Sequence, residues 1–134
     1  MYSFETYSHM TDTLTPEEFF DIHAKMIESV GNDADALELF DELMKNAIVY
    51  SDIRARWSMM SAEEKCTIDE TRTIKHDALI VKFNKLARYL DMTGRDISWR
   101  DALGYTEEDP GKRRRIGDFA CFLTFIAGIN ARWD

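Results

Sequence analysis

Apolar side chains recur at helical spacing along most of the chain. Phe19, Met26, Ile27 and Val30 share one face, and Leu79, Phe83 and Leu90 share another. A third face carries Phe119, Phe122, Leu123, Phe125, Ile126 and Ile129. The punctuation between these stretches is that of helices. Thr15 is an N-cap ahead of Pro16, Glu18 closes a capping box, and Leu14 can staple onto Phe19. This first helix runs to about Val30 and stops at Gly31. Asp33 caps a second, which continues through Trp57 to about Met60. Ser61 and Glu64 repeat the capping box and open a third, which ends near Met92 with Gly94 as its stop. A short helix follows in "SWRDALG", capped by Ser98 and ended by Gly104. Asp109 and Pro110 then open the last helix, which reaches about Arg132. No alternating segment bounded by turn residues reads as a strand. The expectation is one all-α domain spanning residues 1–134: a compact bundle of four main helices plus one short helix, with residues 1–14 as an N-terminal arm.

Length sharpens this picture. A second helix of about 27 residues would span about 40 Å and a third of about 31 residues about 46 Å. A domain of this size has a radius of gyration of about 14 Å. Either these helices break or their shared end projects as a hairpin. The polar, Thr-rich stretch "TIDETRT", residues 67–73, is the weakest helical segment and the expected place for a break. The last helix is expected at the centre of the bundle, since no charged residue interrupts the stretch between Asp118 and Arg132. Gly117 and Gly128 would let neighbours approach closely. Its apolar run, Phe119 to Ile129, is eleven residues long, against about 20 for a membrane span.

Composition fits a soluble domain, with 45% hydrophobic and 31% charged residues. Two cysteines, Cys66 and Cys121, make no disulfide framework or metal-type spacing. With no basic-then-apolar leader in "MYSFETYSHMTDTL", the expected setting is the cytoplasm. Charge is unevenly spread. Residues 1–70 carry 16 acidic and 5 basic side chains, a net of -11, whereas residues 71–134 carry 9 and 12, a net of +3, for -8 in all. The halves either complement one another on packing or leave a polarised surface for a charged partner.

The densest positive charge is Lys112, Arg113, Arg114 and Arg115 in "DPGKRRRIGDF". Four cations at a helix start oppose the helix dipole. Either Glu107 to Asp109 neutralise them or they bind an anion such as phosphate. Arg115 and Lys112 begin on the apolar side of the wheel, leaving Arg113 and Arg114 the freer pair. Lys75, Lys82, Lys85 and Arg88 on the third helix could extend a basic surface. An overall pI of about 4.9 weighs against specific nucleic-acid binding. At the tip between the second and third helices, Trp57, Met59 and Met60 either bind a partner or cap the core.

His23 and His76 sit on apolar stripes, where a histidine is ordinarily a core residue, and no HxxxH or HExxH spacing accompanies them. The acidic pattern Glu17, Glu18, Asp21, then Glu38 and Asp41, resembles that of the all-α nucleotide pyrophosphohydrolases, with Asp21 where a Glu is usual. That resemblance implies magnesium held by carboxylates from neighbouring helices. The helical wheel, however, turns these groups toward solvent.

The segment "DISWRDALGYTEEDPGKRRRIGDFACFLTFIAGINAR" resembles the C-terminal part of an uncharacterised family of small helical proteins, chiefly of Gram-positive bacteria. Extended back to "MSAEEK", the resemblance covers a little over half of the chain. It implies a helical fold in a bacterial cytoplasm and no particular activity. The leading functional expectation is a non-enzymatic interaction or regulatory domain that binds a protein partner or itself. An anion- or nucleic-acid-binding domain using the basic cluster comes next, and a magnesium-dependent nucleotide hydrolase third. No catalytic residue, metal ligand, cofactor or membrane partner is indicated.

Overall fold

The computed structural model describes residues 14–57, 59–105 and 113–133, with side chains as far as residue 128. Five helices and no strand form among these residues: α1 Pro16–Val30, α2 Ala34–Trp57, α3 Ala62–Met92, the short α4 Ser98–Leu103, and α5 Arg114–Trp133. The fold is all-α. The expected N-terminal arm up to residue 13, and Glu107 to Lys112, lie outside the described residues.

Both capping boxes form. Thr15 Oγ1 accepts from the Glu18 N–H at 3.2 Å, and the Glu18 carboxylate accepts in return from the Thr15 N–H at 3.2 Å. Ser61 and Glu64 make the same pair of bonds at 3.1 and 3.3 Å. Each box satisfies donors that a helix start leaves without an intrahelical acceptor. At the next junction Gly31 takes a φ of 55°, and Asp33 ties the turn in two directions. Its Oδ1 accepts from the N–H groups of Asp35 and Ala36 at 2.9 and 3.2 Å. Its Oδ2 accepts from the Tyr89 hydroxyl at 2.6 Å and pairs with Arg95 at 2.7 Å. The Tyr89 bond first, and Arg95 second, hold this carboxyl down at about 2.

The core is aromatic at one end of α1. Phe19 stacks on Phe122 with ring centroids 5.5 Å apart, and Phe119 lies 5.9 Å from Phe19. Phe83 meets Trp99 edge to face at 5.9 Å, which anchors α4 on α3. α5 is central over its first half, where Ile116, Phe119, Ala120, Cys121, Phe122 and Leu123 are all buried. From Thr124 to Gly128 it is only partly covered, so the expected central face ends sooner than its apolar run, and the Ile129 side chain lies outside the description. Polar contacts join α5 to α2: Ser51 donates to Thr124 Oγ1 at 2.9 Å, and Arg54 pairs with the fully buried Asp118 at 2.5 Å. Gly117 lies under the Tyr50 ring, and a Cβ there would come within 2.9 Å of it. No such neighbour faces Gly128 among the described residues.

The expected break at residues 67–73 is absent: α3 is one continuous helix of 31 residues. Local bonds replace the missing apolar face. The Thr67 hydroxyl bonds back to the Glu63 carbonyl at 3.1 Å, and Arg72 bridges to Asp69 at 2.9 Å. Arg72 also lays its guanidinium over the Trp57 ring, 4.5 Å from the centroid. All seven buried residues of α3 fall between Leu79 and Leu90, so the polar half stands outside the core. Length is thus accommodated by projection. No helix among the described residues is long and apolar enough to cross a membrane.

Candidate anion-binding cleft

The projecting half of α3 forms one wall of a cleft of about 680 Å³. Helical periodicity supplies its lining. Tyr50, Arg54 and Trp57 stand at i, i+4 and i+7 on the last turns of α2, and so share one face. Arg72, Thr73, His76 and Asp77 present a matching face of α3. Arg113 and Arg114 close the third side where α5 begins. Four arginines from three segments therefore line one cleft in a chain whose net charge is -8. Guanidinium stays protonated at any pH a cell meets, so this charge is permanent.

The counter-charges are few and differ in depth. Asp118 behind the cleft is fully buried against Arg54. Asp77, by contrast, is 57% exposed and pairs across the cleft with Arg113, itself 46% exposed. Asp69 pairs with Arg72 on the outer surface. On the floor, the His76 ring lies 5.1 Å from that of Tyr50. Burial first, then the Arg113 and Arg54 charges, push the His76 imidazole below its ordinary value, against the opposing pull of Asp77 and a backbone hydrogen bond at Arg113. Burial likewise raises the Tyr50 phenol. Both groups are uncharged near neutrality, and the arginines set the sign of the cleft.

Parts of two surfaces that the sequence suggests separately line one cleft. Arg113 and Arg114 share the cleft with Trp57. Arg115 turns away and donates to the Leu103 carbonyl at 3.2 Å, as its start on the apolar side of the wheel implies. Lys112 and its expected acidic neighbours, Glu107 to Asp109, lie outside the described residues, and it is Asp77 of α3 that meets Arg113. Trp57 is partly exposed and outside the core, with Arg72 over its ring and Lys65 5.6 Å from the ring centroid. Met59 is 67% exposed and Met60 partly so, and neither lines the cleft. Of the α3 cations suggested as an extension, Lys82 instead pairs with Glu42 at 3.3 Å. Arg54, Arg72, Tyr50 and His76 were not legible as site residues. The available signal was the alternation of basic and aromatic groups at three- and four-residue steps on α2 and α3.

The other candidates resolve locally. Asp21 and Asp41 pair with Lys25 and Lys45, each at 3.0 Å and each one turn along its own helix, and Glu18 is committed to its cap. These carboxylates do not converge, and no group of three or more His, Cys, Asp or Glu able to hold a metal occurs among the described residues. His23 sits half-buried against the Phe122 ring at 6.2 Å, where burial lowers its basicity. Cys121 is buried, and loss of solvation drives its thiol up to about 12, far from reactive thiolate. Cys66 is exposed. Comparison with protein families, with curated proteins and with solved structures finds no match for this chain.

Proposed function

We propose that this domain binds a small phosphate-bearing anion in the cleft between α2, α3 and the start of α5. The observation that supports this reading is the convergence of Arg54, Arg72, Arg113 and Arg114 on one concavity of an otherwise acidic chain. Guanidinium groups match phosphate oxygens with paired, charge-assisted hydrogen bonds. Asp77 is a modest competitor, since exposed ion pairs are worth only about 0–1 kcal/mol. A small ligand suits the charge balance better than a nucleic acid. An overall pI of about 4.9 weighs against a long polyanion. The role is recognition, and a regulatory domain is the natural setting for it. Isothermal titration with pyrophosphate at low salt tests the proposal. Binding should weaken at least tenfold in Arg113→Ala, Arg114→Ala, a loss of about 1.4 kcal/mol or more. A Lys75→Ala, Lys85→Ala control away from the cleft should match wild type. No pyrophosphate binding by wild type, or equal binding by all three proteins, removes the reading.

A second reading, association with a protein partner or a second copy through the α2–α3 tip, rests on the exposure of Met59 beside Trp57. Sedimentation of wild type and Met59→Ala across concentration tests its self-association form, and an unchanged monomer in both sinks that form.

A further inference from the structure

We infer that the ligand is a nucleotide: a flat aromatic base seated against the Trp57–Arg72 stack, with its phosphate on Arg113 and Arg114. The inference rests on the anion-binding reading above and narrows its ligand class. Size is the first ground. A volume of about 680 Å³ is more than one or two phosphate groups fill. It falls inside the range of about 300–1,000 Å³ usual for clefts that take organic ligands.

The second ground is how the wall is made. Trp57 lines the cleft but sits outside the hydrophobic core, so packing alone does not account for it. Arg72 lies over its ring at 4.5 Å, and Asp69 fixes that arginine from one turn away at 2.9 Å. An indole and a guanidinium held together offer the kind of planar platform on which nucleic bases stack. The third ground is placement. Arg113 and Arg114 belong to the start of α5, whereas Trp57 and Arg72 belong to the α2 end and the outer half of α3, so base and phosphate have separate walls.

Matched ligand pairs test this without confusing it with anion binding itself. Titrate wild type with ADP and with pyrophosphate, then with AMP and with ribose 5-phosphate, following both heat and tryptophan emission. The base should tighten binding at least tenfold within each pair and quench emission. Trp57→Leu should erase that advantage, so that ADP and pyrophosphate bind the variant within about twofold of each other, as should AMP and ribose 5-phosphate. Should Trp57→Leu fail to fold, Trp57→Phe serves, retaining part of the advantage. Equal affinity within both pairs, with pyrophosphate still bound, overturns the nucleotide inference and leaves the anion site intact. Absence of all binding overturns both. Tighter binding of a single-stranded oligonucleotide than of any mononucleotide also overturns it, in favour of a polymer.

Discussion

Two arginine–aspartate pairs flank the cleft, and they have little in common beyond their atoms. Arg54 and Asp118 meet at 2.5 Å between α2 and α5, with side chains 12% and 0% exposed. Arg113 and Asp77 meet across the cleft mouth, with both side chains about half exposed. In the first pair neither group can return to water without opening the bundle. In the second, both keep much of their hydration and can exchange partners. Burial, and not the identity of the ions, separates a contact that holds helices together from one that can exchange partners.

The sharpest way to break this comparison is Asp118→Ala, which leaves the Arg54 charge buried beside the core. It should destabilise the domain by about 3–5 kcal/mol in urea melts, and a loss below about 1 kcal/mol would place the pair at the surface in energetic terms. Next comes Gly117→Ala, one residue earlier. Its methyl would come within 2.9 Å of the Tyr50 ring, and relief by shifting that ring should cost about 1–3 kcal/mol. Asp77→Asn is the counterpart at the mouth. Stability should change by no more than about 1 kcal/mol, while pyrophosphate affinity should rise, because one competitor for Arg113 is gone. Weaker binding in Asp77→Asn would mean the carboxylate positions Arg113 for the ligand.

The smallest effect concerns protons. His76 is held below its usual 6.5 mainly by burial and then by Arg113. The unfolded chain therefore takes up this proton first, and stability falls as pH drops from about 6.5 toward the folded value. An anion in the cleft acts in the opposite direction, since it favours the imidazolium. Sulfate, whose own charge is constant in this range, should bind more tightly as pH falls from about 8 to about 6. His76→Gln should flatten the profile. A profile equally steep in the variant would assign the effect elsewhere.

The fold was largely legible from residues whose role is local. Thr15, Glu18, Ser61 and Glu64 place the starts of α1 and α3 through bonds three residues apart, and Gly104 ends α4 in a left-handed conformation. What the chain could not announce depends on distant partners. Residues 67–73 look like a break until Arg72 finds Trp57 from the preceding helix. The apolar run of α5 looks uniformly central, although the described side chains from Thr124 to Gly128 are only partly covered. The cleft was half legible: charge density marks Arg113 and Arg114, and a place at the tip between two overlong helices marks Trp57. Their meeting, with Arg54 and His76 between them, follows from how α2, α3 and α5 pack, and no single segment encodes it.

The long third helix carries a consequence of its own. Its hydrogen bonds run unbroken for 31 residues, yet its buried residues all lie in the stretch from Leu79 to Leu90. By local stability it is two segments. The half that bears Arg72, Thr73, His76 and Asp77 contributes no buried residue, and its backbone amides should exchange with solvent well before those beyond Leu79. A bound ligand would then supply the enclosure that the bundle does not, slowing amide exchange across the outer turns while leaving the most protected amides untouched. Occupancy of the cleft would be written in the backbone of one half-helix, as order lent to it by the ligand.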